Sequence, residues 1–114
     1  MSKKEIIYNK LIRDRIPEII SADGWFPETK VLNKKDFIVE LKKKIFEEAK
    51  ELNEGKDHQN LIEELADIQE IIDTVLKEKQ VKLADFRKLQ TKKRQKRGGF
   101  KKKLFLISTT QGHD

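Results

Sequence analysis

Two stretches of helical periodicity, separated by a short polar interval, constrain the fold more than any other feature of this sequence. Apolar residues recur at three- and four-residue steps from Asp36, the expected N-cap, to about residue 53, and again from about 59 to 79. That spacing places them on one face of an α-helix. The polar interval 53–60 suits the loop between two antiparallel helices. The pattern therefore predicts an all-α fold built on a helical hairpin.

The segments on either side of the hairpin carry weaker signals. Pro17 is expected in the first turn of a short helix that ends near residue 21. A third helix is predicted from about 83 to 96, and the Gly98-Gly99 pair that follows is expected to end it. For residues 100–107, two interpretations remain open: a short strand, or an arm packed on a neighbouring molecule.

Length and composition indicate one domain, spanning residues 1–114, with a modest core. Only 36% of the residues are hydrophobic and 40% are charged. Helices with apolar faces left over are commonly satisfied by a second copy. We therefore expect a four-helix-bundle type of structure assembled by oligomerisation, as a homodimer or a homotetramer.

Several classes of protein are disfavoured by what the sequence lacks. It contains no cysteine, which excludes disulfides, thiolate metal sites and cysteine nucleophiles. Its start has no apolar stretch of the secretory type, and its apolar runs of about four residues are far shorter than the roughly 20 needed to span a bilayer. We expect a cytoplasmic protein with no membrane partner.

The positive charge of the chain is concentrated near its C-terminal end. The net charge is +6, and residues 91–103 contain eight Lys or Arg and no acidic residue. The remaining 18 basic and 20 acidic groups give −2. A basic segment of this kind can bind the phosphates of a small nucleotide or of a nucleic acid, and composition does not distinguish the two.

Four carboxylates of the hairpin are the candidates for chemistry. Glu48 and Glu51 in the first helix, and Glu64 and Asp67 in the second, are each three residues apart and so share a helix face. Both pairs lie on or beside the apolar stripes, whereas Glu47 points toward water. Four anions at such an interface are unfavourable unless they are protonated or bind a hard cation, for which Mg²⁺ or Mn²⁺ is suited. The alternative is a set of ordinary solvated helix faces.

These residues also resemble a known family. Glu-Glu-x-x-Glu at 47–51, followed after twelve residues by Glu-x-x-Asp at 64–67, is similar to the signature of the all-α nucleoside triphosphate pyrophosphohydrolases. That superfamily includes the MazG-type enzymes. Residues 8–20 (YNKLIRDRIPEII) and 97–100 (RGGF) resemble two further motifs of a small MazG-like subgroup, which is often labelled phosphoribosyl-ATP pyrophosphohydrolase-like.

The resemblance implies an activity and a site. The reaction would be hydrolysis of a nucleoside triphosphate to the monophosphate and pyrophosphate, with Mg²⁺ as cofactor and, as one possibility, noncanonical nucleotides as substrates. The implied metal ligands are Glu48, Glu51, Glu64 and Asp67. Glu47 is a candidate helper base, although its position on the helix faces outward.

Basic residues are the candidates for contacts with substrate phosphates. Lys10 and Arg13 are spaced to present two cations, and Asp14 can orient one of them. The alternative for Arg13 is a structural ion pair with Asp14. Lys93 and Arg97 have a similar dual interpretation. The competing function is a basic helical module that binds nucleic acid through residues 91–103, and it leaves the four carboxylates without a role.

Overall fold

Four α-helices make up the regular structure of the described residues. A computed structural model describes residues 3–55 and 57–112, and within those ranges every regular element is a helix, so the predicted all-α class is confirmed. Residues 104–112 are irregular, so the strand interpretation of the C-terminal tail is wrong for the part of the chain described. The helices are α1 (Ile16–Ala22), α2 (Lys34–Glu54), α3 (His58–Glu78) and α4 (Leu83–Arg97).

Side-chain caps begin both long helices. The Asn33 side chain accepts a hydrogen bond from the backbone N–H of Asp36, and the Asp57 side chain accepts one from the N–H of Asn60. The prediction that Asp36 caps α2 is therefore wrong. Asn33 has the extended backbone of a cap. Asp36 instead lies in the first turn, where an acidic side chain interacts favourably with the helix dipole.

The apolar stripes of α2 and α3 meet in a small core. Ile38, Leu41 and Ile71 are buried there, and Ile45 and Val75 pack against them half-buried. Ile38, Leu41, Ile45 and Val75 belong to the predicted helical stripes, but Ile71 does not. The stripe predicted for the second helix consists of Leu61, Leu65, Ile68, Ile72 and Val75, of which Leu61 and Leu65 are exposed. Periodicity therefore predicts the hairpin, but not which residue of α3 is buried most deeply.

The segment before α1 is fastened to this hairpin. Leu11 packs against the core of α2 and α3. Asn9 has a φ of 47°, a left-handed conformation that asparagine tolerates better than most residues. Lys10 and Arg13 therefore flank a residue that is fixed to the hairpin.

The chain forms two compact units, Met1–Gln80 and Val81–Asp114. In the second, α4 begins without a side-chain cap at Lys82 and ends at Gly98, whose φ of 81° favours glycine. The side chain of Phe86 is half-buried, and the rest of α4 is exposed. That residues 1–114 act as one domain stays a prediction. Among the described helices, none has the length and apolar character needed to cross a membrane.

Candidate metal site

Three of the predicted ligands come together where α2 packs on α3. One carboxylate oxygen from each of Glu48, Glu51 and Glu64 lies within 4.8 Å of the other two. Glu48 and Glu51 reach this point from consecutive turns of α2, and Glu64 reaches it from α3. The cluster therefore depends on the packing of the hairpin and not on one helix alone.

Burial makes this cluster different from an ordinary acidic surface. Glu48 is only 8% exposed. The Oε2 atoms of Glu48 and Glu64 are buried, and neither accepts a hydrogen bond from any residue in the described ranges. A buried oxygen without a partner is costly, and an ionised one more so. These two atoms need a proton or a cation.

The pKa values of the cluster change in the direction that this crowding requires. The pKa of Glu48 is raised above its ordinary 4.5, first by burial and then by the Glu64 carboxyl, with which it can share a proton. The pKa of Glu51 is also raised, first by burial and then by the charge of Glu48. A bound cation would reverse both effects because it favours the ionised carboxylates.

Lys44 partly offsets the negative charge. Its Nζ lies 3.6 Å from Glu47 Oε1 and 3.8 Å from Glu48 Oε1, and its side chain is only 18% exposed. Lys44 is not among the site residues predicted from the sequence. Its i, i+4 spacing from Glu48 was the available signal, since such positions are neighbours on a helix.

The fourth predicted ligand, Asp67, is engaged elsewhere. Arg13 Nη2 donates a hydrogen bond to Asp67 Oδ1 at 2.7 Å. The alternative interpretation of Arg13, an ion pair with Asp14, is therefore wrong in its partner. In the described structure the Asp14 side chain makes neither an ion pair nor a hydrogen bond. Arg13 contacts α3 because Leu11 holds its segment against the hairpin.

Glu47 is bound by the same N-terminal segment. Lys10 Nζ lies 3.6 Å from Glu47 Oε1, and the Glu47 side chain is 35% exposed, so the predicted outward position is only partly correct. Lys10 thus pairs with Glu47 of α2, which is adjacent in sequence to Glu48. Arg13 pairs with Asp67 of α3, one helical turn from Glu64. The arrangement places three carboxylates that could hold a cation close to two cationic side chains.

The remaining predicted contacts lie in the second compact unit. Lys93 and Arg97 line an open depression at the C-terminal end of α4, together with Gln90, Arg94 and residues 98–100.

Comparisons with known proteins give no relative for this chain. It matches no family model, no curated protein and no solved structure.

Proposed function

We propose that this protein is a cytoplasmic, Mg²⁺-dependent nucleotide pyrophosphohydrolase that cleaves a nucleoside triphosphate to the monophosphate and pyrophosphate. One observation carries the proposal: two buried carboxylate oxygens, from Glu48 on α2 and Glu64 on α3, face a shared cluster without a donor among the described residues. Carboxylates on ordinary solvated helix faces would be exposed to water, whereas these two oxygens are buried. The motif resemblance supports the same reaction.

The donor set suits Mg²⁺, with Mn²⁺ as an alternative. Glu48, Glu51 and Glu64 offer only carboxylate oxygens, the ligands that hard divalent cations prefer. When bound, such a cation would polarise phosphoryl oxygens and lower the pKa of a bound water. We propose Asp67 as a fourth ligand, which requires that Arg13 release it.

Lys10, Arg13 and Asp14 are proposed to act on the substrate phosphates. A polyphosphate at the cluster competes with Glu47 and Asp67 for the two cations, and a guanidinium binds phosphate oxygens in a bidentate manner. Glu47 is the proposed base. When Lys10 transfers to a phosphate, the Glu47 carboxylate is freer to accept a proton from water, while Lys44 still orients it.

Pyrophosphate release tests the activity directly. A panel of common and damaged nucleoside triphosphates would be assayed with Mg²⁺, with Mn²⁺ and with EDTA. We expect metal-dependent release from one or a few of them, in line with removal of noncanonical nucleotides. Failure to release pyrophosphate from any substrate, with the protein folded and metal present, would exclude the proposal.

A neighbouring pair of residues provides a matched variant and control. Glu64→Gln removes a cluster carboxylate, and Glu63→Gln makes the same change at an exposed position that faces Gln59 instead. We expect Glu64→Gln to lose at least about 100-fold in kcat, a typical cost of removing a stabilising group, and to lose the rise in melting temperature that Mg²⁺ gives the wild type. Glu63→Gln should keep both. Equal activity in the two variants would contradict the metal site.

A further inference from the structure

The second compact unit carries a concentration of unneutralised positive charge. Residues 87–103 contain ten Lys or Arg and no acidic residue. None of these ten forms an ion pair with any described part of the chain, and all are exposed. Like charges packed this closely repel one another, so an anionic ligand would stabilise the unit.

The cations of α4 fall on two sides of the helix. At about 100° per residue, Lys93, Arg94 and Arg97 share one side with Gln90, and Lys88 and Lys92 lie roughly opposite. The first side forms a concave surface. It lines an open depression of about 540 Å³, within the range of small-molecule sites.

The lining of this depression offers two kinds of recognition. Two guanidinium groups and an ammonium group can bind phosphate oxygens. The Phe100 side chain is 99% exposed at the rim, so its face is free to stack on a planar ring. Gln90 Oε1 accepts a hydrogen bond from Arg87 at 2.8 Å, which leaves its NH₂ group to donate.

Gly98 and Gly99 also line the depression, between α4 and Phe100. Gly98 ends α4 with a φ of 81°, so that the chain leaves the helix axis and Phe100 joins the lining. A Cβ added at Gly98 or Gly99 would meet nothing within 4 Å. Their backbone is therefore accessible to a ligand, and Gly99 is not required there to relieve a clash.

We propose that this depression is a binding site for a nucleoside phosphate, with the phosphate held by Lys93, Arg94 and Arg97 and the base stacked on Phe100. Cationic grooves with an aromatic platform bind single-stranded nucleic acid by this chemistry, and a free nucleotide presents the same two groups. The site requires no metal, so it is independent of the proposed hydrolase activity.

Fluorescence anisotropy on the full-length protein in EDTA tests the site. One arm uses a labelled oligothymidine of about 12 nucleotides, a length within the range of known single-strand sites, and the other uses a fluorescent ATP analogue. We expect Arg94→Ala/Arg97→Ala to weaken binding at least tenfold. Lys88→Ala/Lys92→Ala removes equal charge from the opposite side and should change binding less than threefold.

The aromatic contact has its own matched pair. Phe100→Ala should weaken binding about tenfold, in line with the loss of one stacked base. Phe105→Ala removes a comparably exposed ring outside the depression and should leave the affinity unchanged. Circular dichroism would verify that each variant keeps its helices.

Each outcome decides the proposal. Binding in either arm that depends on Arg94, Arg97 and Phe100 supports the site, and the arm that binds identifies a free nucleotide or a nucleic acid as the source. Equal losses from the two double variants would show a diffuse charge effect and overturn it, as would an absence of binding in both arms. Glu64→Gln, the variant that tests the hydrolase proposal, should bind the labelled probes as the wild type does. A failure of the hydrolase proposal would therefore leave this binding result unchanged.

Discussion

Glu48 is the residue at which folding and the proposed chemistry conflict. Its carboxyl is buried beside that of Glu64, and its pKa is raised above 4.5 by burial and by that neighbour. The folded protein without metal therefore holds the proton more tightly than the unfolded chain does. The stability associated with that proton is complete below the unfolded pKa and is lost as the pH rises through the folded one.

Glu48→Gln should consequently stabilise the metal-free protein near neutral pH. The amide needs no proton to be neutral and can donate to a Glu64 oxygen, so we expect a gain on the order of 1 kcal/mol in the free energy of unfolding. The gain should vanish below about pH 4, where the wild-type carboxyl is also neutral. Urea unfolding at both pH values measures it.

Glu54→Gln is the control for this change. It makes the same substitution at an exposed position of α2 and should alter stability little at either pH. A Glu48→Gln protein that is less stable than the wild type at neutral pH would show that the ionised carboxylate is well satisfied in the folded state.

An Arg13 variant can distinguish a role of this residue in substrate binding from a purely structural role. Its ion pair with Asp67 is short, but the two side chains are 58% and 41% exposed, so breaking it should cost less than about 1 kcal/mol of stability. If Arg13 transfers to a substrate phosphate, Arg13→Ala should lower kcat/KM at least tenfold. Steady-state kinetics and urea unfolding together measure the two effects.

Lys43→Ala provides the comparison for Arg13. It breaks another ion pair, with Glu40 of α2, and neither of these two residues is a predicted site residue. Both variants should lose similar stability, and only Arg13→Ala should lose activity. A loss of stability without a loss of kcat/KM in Arg13→Ala would assign the residue a structural role alone.

At the scale of elements, periodicity predicts the helices, and local backbone geometry determines their ends. The stripes of α2 and α3 predict both the hairpin and the burial of Glu48 beside its stripe. The N-cap of α2 was misassigned because Asn33 and Asp36 are both capping residue types, and only the extended backbone of Asn33 distinguishes them.

The contacts of the N-terminal segment lie beyond what periodicity can predict. Arg13 and Asp67 are separated by 54 positions, and no helical repeat relates them. Leu11 determines their approach by packing on the hairpin core. The acidic cluster was therefore predictable in outline, whereas the engagement of its fourth member by Arg13 required the tertiary structure.

The cap of α2 gives a prediction at this scale. Asn33→Ala removes the side-chain acceptor for the Asp36 N–H and should cost about 1 kcal/mol of stability. Asn53→Ala makes the same change in the last turn of the same helix, at an exposed position, and should cost nothing measurable. Equal effects in urea unfolding would mean that the cap contributes little.

At the scale of the whole molecule, α3 has more apolar surface than the hairpin covers. Ile71 is buried against α2, but Leu61, Ile62 and Leu65 remain 43%, 48% and 46% exposed. At 100° per residue, Leu61 and Leu65 lie about 80° and 120° around the helix from Ile71, beside the buried side, whereas Ile62 lies opposite it. Because a core of three buried apolar side chains is small, we propose that a second copy covers this face.

Leu65→Lys tests the assembly. A lysine in the centre of that face would oppose association, because a charge without a partner would be buried between copies. We expect the wild type to sediment as a dimer or larger, with a melting temperature that rises with protein concentration, and Leu65→Lys to sediment as a monomer. Val31→Lys, at a 99% exposed apolar position outside the helices, should assemble as the wild type does. A monomeric wild type, or an unchanged Leu65→Lys oligomer, would exclude this face as the interface.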